Sequence, residues 1–303
     1  MQRNETIAHL ANCFAPPIVL PAIYLGAFAM IFGGVSPVLW GQQLAASALF
    51  TMLLFIPHSA VTRVPRKVQA LLFLAALFAA LLFPGAGGAK RWLDLGPLNV
   101  NAAMLVVPAL LVLLCAMERP LAALLLAAAA LCLQPDLSQL AALLLGALPI
   151  VFRKREKPLL CAGVIALLLA LCALCAMKPV SLEPVDYCEG ALFMLGDFSP
   201  LLLAAGAAAL ALIPLFFLLY FRASGFTAQL CLSAYYAAAI LFGLSGQYPM
   251  PFMGFGISPI AGYFLALLLL RALHTDYEYD RLVSYANRMV KSHQHQSERS
   301  VRP

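Results

Sequence analysis

A chain of 303 residues that is 63% hydrophobic and only 11% charged, with a mean hydropathy of +0.92, is no water-soluble globule, whose charged share would be about 25%. Its net charge of +6 comes from basic residues dispersed among short polar stretches. That pattern argues against nucleic-acid binding and fits the electrostatics of the inner leaflet of a membrane.

Crossing a hydrocarbon core takes roughly 17 to 25 apolar residues per helix, and nearly the whole chain up to Arg271 divides into such runs. Composition therefore predicts an all-α, polytopic helical membrane protein. Met1 to His9 carries Arg3 and Glu5 and leads into an apolar segment that continues to about Gly34. That is longer than a signal-peptide core of about 7 to 15 residues, so it is read as a retained first span. In order, the predicted spans are 12–33, 38–56, 68–84, 102–117, 120–135, 137–152, 159–177, 199–221, 226–245 and 257–272, ten in all. They form one membrane domain, 1–273, followed by a polar, basic tail, 274–303.

Lys and Arg accumulate in loops that stay in the cytoplasm. With the N-terminus inside, sixteen of the nineteen Lys and Arg residues fall on the inner side, and only Lys90, Arg91 and Lys178 fall outside. Both termini are thus expected in the cytoplasm, with residues 86–100 facing the exterior. The acids Asp94, Asp136, Glu183, Asp186, Glu189 and Asp197 are all outer in this arrangement.

Eight cysteines, mostly within spans, lack metal-ligand or disulfide-framework spacing and read as small buried hydrophobes. Cys188 is the one expected in an outer loop. The alanine runs 122–130 and 204–211 bring small side chains to helix contacts, where close backbone approach replaces a hydrophobic driving force. In the tail, Leu282, Val283, Tyr285, Ala286, Met289 and Val290 fall largely on one helical face, with Arg281, Arg288 and Lys291 able to reach headgroups. This predicts an interfacial helix at about 278–292, the alternative being a disordered anchor.

Chemistry concentrates in a few polar islands. Gly87-Gly-Ala-Lys-Arg-Trp-Leu-Asp-Leu-Gly96 sits between two apolar stretches and combines two cations with a Trp suited to a membrane boundary. Gln134-Pro-Asp136 places a carboxylate and a helix breaker in an apolar stretch, which is read either as a site element or as a turn with Asp136 simply in water. Glu183, Asp186 and Glu189 form either a cation-binding group or a solvated acidic loop.

The first island resembles the Gly-Ala-x-Arg-Trp loop of the SEDS family (FtsW/RodA type), polytopic proteins that polymerise the lipid-linked peptidoglycan precursor. Gln134-Pro-Asp-Leu137 is similar to the family's Q-P-D-L, and Tyr248-Pro-Met-Pro-Phe-Met-Gly-Phe-Gly-Ile-Ser258 resembles the segment before its last span. The three occur in the family's order and on its outer side. Three departures stand beside them. Ala102-Ala-Met-Leu-Val-Val107 replaces P-S-E-x-x-K, removing both members of an intramembrane charged pair. Gly254 and Ile257 stand where Ser and Gly are usual. The long Gly-Ser-rich outer loop shrinks to about twenty residues, although Asp197-Phe198 keeps the place of the family's Asp-Phe.

The resemblance implies a protein of the bacterial cytoplasmic membrane that handles undecaprenyl-diphosphate-linked precursor (lipid II) at the outer face, in cell division or shape control. It also implies a single-span transpeptidase, a penicillin-binding protein, as partner. Glycosyl transfer needs a base for the acceptor hydroxyl and cations or a metal for the departing diphosphate. Asp197 is the candidate base, its alternative role being the N-cap of span eight. Lys90, Arg91 and Asp136 are candidate substrate-binding residues; the alternative for the two cations is an internal salt bridge with Asp94 or Asp136. A non-catalytic member that binds lipid or partner proteins is the competing reading, with a transporter a weaker third.

Overall fold

The structure, a computed structural model, describes residues 16–96, 98–153, 157–220 and 226–275. The described residues are mostly helical. After a 3-10 turn at Pro16–Val19 come α1 (Leu20–Phe32), α2 (Pro37–Thr51, continued by a 3-10 turn to Phe55), the short α3 (His58–Thr62) and α4 (Arg66–Ala79). A hairpin of β1 (Trp92–Asp94) and β2 (Asn99–Asn101) leads into α5 (Ala102–Ala116), α6 (Leu121–Leu133), α7 (Leu137–Phe152) and α8 (Pro158–Ala176). Then follow the short α9 (Ala191–Phe198), α10 (Pro200–Tyr220), α11 (Phe226–Gly243) and α12 (Ser258–Thr275).

Every predicted span falls on one of these helices. Among the described residues four helical stretches, Pro37–Phe55, Pro158–Ala176, Pro200–Leu218 and Ser258–Thr275, are long and apolar enough to cross a membrane, and five more are apolar but of 10–17 residues. The chain is a helical membrane protein. Most of its helices are apolar all round, as expected when one face meets lipid and the other meets protein. The predicted tail helix, Cys13 and the N-terminal charges lie outside the described residues.

The centre of the bundle is α5, α7, α11 and α12, whose buried side chains include Leu110, Leu111, Leu140, Tyr235, Tyr263 and Phe264. Backbones approach very closely here. A Cβ on Gly262 of α12 would lie 2.1 Å from the Met104 carbonyl oxygen of α5, and one on Gly26 of α1 would lie 2.3 Å from that of Met253. Only hydrogen fits at either position. The stretch 102–107 is buried apart from a half-covered Leu105, so the apolar replacements at the expected charged pair pack into the core, where an unpaired charge would be costly.

Five hydrogen bonds place four connections at one end of the bundle. The Ser181 amide donates to the Gly87 carbonyl, Lys90 to Gln134, Phe255 to Tyr187 and Met250 to Cys188, and the Asn101 amide donates to the Ser258 hydroxyl at 2.8 Å. The side chain of Gln43 in α2 adds a 2.6 Å bond to the Phe252 carbonyl. Arg66, Arg119, Arg153 and Lys157 lie at the helix ends opposite.

This arrangement predicts shared sidedness. Leu95→Cys and Glu183→Cys, both at exposed positions, should react with an impermeant thiol reagent from the same face of sealed vesicles, and Lys157→Cys from the other face. Reaction of Leu95→Cys and Lys157→Cys from one face would contradict the helix directions.

Candidate functional site

The loop after α4 is shaped by glycines. Ala86 and Ala89 exchange both backbone hydrogen bonds, 2.9 and 2.8 Å, around Gly87 (φ +52°) and Gly88 (φ +85°). Two consecutive left-handed residues make a tight hairpin turn that a side chain would strain. The turn packs so closely on the segment after α8 that a Cβ on Gly87 would lie 2.5 Å from the Ser181 carbonyl oxygen. The chain then enters β1, which pairs with β2 in the register Trp92–Asn101, Leu93–Val100 and Asp94–Asn99. Asp94 is spent on the hairpin turn, accepting from the Gly96 amide at 3.0 Å. Asn101 ends the hairpin and caps α5 through the Met104 amide at 3.0 Å.

This frame drives Arg91 inward until it is only 6% exposed. Its Nη2 and Nε donate to the Pro135 carbonyl at 2.5 and 3.2 Å, and Nε stands 3.8 Å from Oδ2 of Asp136. The guanidinium also lies 6.0 Å from the centre of the Tyr248 ring, within range of a cation–π attraction. One residue thus joins the three motif segments at 87–96, 134–137 and 248–258. Burial raises the Tyr248 phenol above its ordinary value; the Arg91 charge opposes that shift and the Asp136 charge adds to it.

Asp136 is not in water. It is 1% exposed, and its Oδ1 accepts from the Ser138 hydroxyl at 2.9 Å and the Gln139 amide at 3.3 Å, capping α7. Among the described residues its Oδ2 has no hydrogen-bond partner, and it stands beside the Arg91 charge. Beneath it, Gln139 accepts from the Tyr235 hydroxyl of α11 at 2.6 Å. Gln134, fully buried, donates to the Leu77 carbonyl. Lys178 donates to the Cys132 carbonyl at 2.8 Å, satisfying the C-terminal end of α6. Of the expected pairings for the two cations, Arg91 with Asp136 is the one formed. Lys90 remains exposed, with a long 3.4 Å contact from Nζ to the Leu81 carbonyl.

Asp197 does not cap span eight. It belongs to the last turn of α9, and the following helix is capped by Ser199, whose hydroxyl accepts from the Leu201 amide at 3.1 Å. The stretch 191–198 reads as loop from the charges and glycines around it, yet α9 buries Leu192 and Leu195 and sets Phe198 against Phe28 and Phe32 at 6.1 and 6.2 Å. The Asp197 carboxylate is exposed at the negative end of a helix, an unfavourable place for an anion, and no described residue pairs with it.

The three acids of the outer loop do not converge. Glu189 turns back to accept from the Val185 amide at 2.8 Å, and among the described residues no group of three or more His, Cys, Asp or Glu side chains could hold a metal ion. Cys188 is held between loops, donating to the Phe255 carbonyl at 3.6 Å. Burial pushes its thiol far up, with Glu189 adding to the shift, so it is not a reactive thiolate.

The fold is similar to the crystal structure of the rod shape determining protein RodA of Thermus thermophilus. The TM-score is 0.59 at 21% identity, covering 86% of this chain and 95% of that one. A point mutant of the same protein gives 0.58 at 20% identity, covering 86% and 96%. At this identity the likeness is one of fold. No family model and no curated protein sequence matches the chain.

The geometry at Arg91 makes a specific demand. Lysine keeps the charge but lacks the fork that reaches the Pro135 carbonyl and Asp136 together, so Arg91→Lys should lower the thermal midpoint of the detergent-purified protein. Arg91→Ala, which strands a buried carboxylate, should cost more, on the order of 3 kcal/mol. A midpoint for Arg91→Ala equal to that of the wild type would show that the buried pair does not hold the loops.

Proposed function

We propose that this chain is a short SEDS-type cell-wall protein that handles an undecaprenyl-diphosphate-linked peptidoglycan precursor at the outer membrane face. The observation that carries the reading is the meeting at Arg91 of three separate segments, each of which resembles a motif of that family, within a fold similar to a rod shape determining protein. The basic asymmetry supports placing this end outside the cell in the bacterial cytoplasmic membrane, where the lipid-linked disaccharide is displayed.

Roles divide by burial. Arg91 and Asp136 are committed to each other and to the backbone, so they position the loops and do not reach substrate. Lys90, exposed on the next residue, is the cation free to face a diphosphate. Asp197 is the candidate base: its position is electrostatically unfavourable, it caps nothing, and no described residue compensates it. A carboxylate that breaks a local rule without structural return marks a candidate functional position. In the proposed step Asp197 takes the proton of the acceptor hydroxyl, the oxygen attacks the anomeric carbon, and the diphosphate departs with the bonding electron pair toward Lys90. A single-span transpeptidase is the proposed partner that cross-links the product. The short acidic loop and the apolar 102–107 segment favour the second reading, a non-catalytic scaffold that binds the same lipid.

Purified protein given purified precursor, alone and with a transpeptidase, decides between them. Asp197→Asn should abolish strand formation with the thermal midpoint unchanged, and Lys90→Ala should reduce it at least tenfold. Equal polymerisation by wild type and Asp197→Asn would remove the assignment of the base. No product from either protein, beside an active control polymerase, would leave the scaffold.

A further inference from the structure

The end of the bundle opposite Arg91 carries a different chemistry. A cavity of about 720 Å³ opens between the start of α4, the last turn of α5 and the last turns of α12, with Lys67, Arg119, Val64, Leu269 and Leu273 among its walls. A second, of about 490 Å³, lies between the starts of α6 and α8 and shares Arg119 with the first. Arg153, Lys157 and Leu160 line it.

Their electrostatics are one-sided. Among the described residues, five basic side chains line the two cavities together, against a single acid, Glu118. Glu118 and Arg66 already have partners, and Arg153 donates one bond to the Cys115 carbonyl at 2.8 Å. No described residue pairs with Lys67, Arg119 or Lys157, all of them exposed. The three helices that start here, α4, α6 and α8, have Pro65, Pro120 and Lys157 at their N-caps and no side-chain cap bond. Their positive ends add to the side-chain charge. Converging like charges are self-repelling until an anion enters.

We propose that these joined cavities bind the phosphodiester headgroup of an anionic glycerophospholipid from the adjacent leaflet. The cations face the phosphate, and Val64, Leu160, Leu269 and Leu273 continue the lining with hydrocarbon. A free phosphate has nothing to set against those side chains, whereas acyl chains do. The site lies at the helix ends, where headgroups sit beside a membrane protein, and basic pockets between helices at that depth select anionic lipid.

The test uses the full chain purified in a neutral detergent and native mass spectrometry. Phosphatidylglycerol, phosphatidylcholine and inorganic phosphate are added separately. Phosphatidylglycerol should remain bound to the wild type through the desolvation step, with phosphatidylcholine at least tenfold weaker and phosphate not retained. Removing one cation should weaken phosphatidylglycerol about fivefold, and Lys67→Ala, Arg119→Ala and Lys157→Ala combined should weaken it on the order of a hundredfold. Lys67→Arg should bind as the wild type does. Equal retention of the two lipids by the wild type would overturn the proposal, as would undiminished phosphatidylglycerol on the folded triple variant. Binding of phosphate alone at the same cations would assign the cavities to a soluble anion and reject the lipid. If the triple variant does not fold, the wild-type comparison of the two lipids decides.

Discussion

A guanidinium buried to 6% exposure cannot be left without acceptors, because the penalty for desolvating a charge is several kcal/mol per ion. Arg91 therefore dictates where its neighbours stand. The Pro135 carbonyl and the Asp136 carboxylate come from one connection and the Tyr248 ring from another, and each must be held within reach. The supporting contacts follow from that need: the Gly87-Gly88 turn seated on Ser181, the Lys178 side chain on the end of α6, the cap of α7 by Asp136 itself. Such a pair adds little net stability compared with an apolar replacement, and its use lies in fixing one arrangement of the loops.

The departures from the SEDS motifs that the chain resembles become physically intelligible around this frame. Gly254 stands where Ser is usual, and a Cβ there would lie 2.1 Å from the Cys188 carbonyl oxygen. In this chain the shortened outer loop runs directly against the last motif, joined to it by the bonds from Met250 to Cys188 and from Phe255 to Tyr187. A longer loop leaving the bundle would not need that contact. The apolar stretch at 102–107 is the companion change: α12 packs on α5 with backbone almost touching at Gly262 and Met104, leaving no room for a solvated pair of long charged side chains.

Much of this was legible in the residues. Long apolar runs give the helices because backbone groups in hydrocarbon have no other partner, and the dispersion of Lys and Arg separates the two ends. The ion pair of Arg91 with Asp136 was one of the two pairings that the charges offered. What escaped was set by contacts between distant segments. Nothing near Asp136 says that it is shielded from water, since the side chains that cover it come from elsewhere in the fold. Tyr248 meets Arg91 across more than a hundred residues, and no periodicity reports such a pairing. The sequence Ala191–Phe198 carries too short an apolar pattern to reveal α9, and without that helix the N-cap of span eight stood open as an alternative role for Asp197 when Ser199, two residues on, has it.

The central claim is that Arg91 and Asp136 act as one buried unit that joins the outer loops. A double-mutant cycle in thermal unfolding, comparing Arg91→Met, Asp136→Asn and the two combined, measures it directly. The account predicts that the combined variant is more stable than the sum of the single losses allows, with a coupling of about 1 kcal/mol or more. Additivity to within about 0.3–0.5 kcal/mol would mean that the two side chains do not depend on each other and would contradict it.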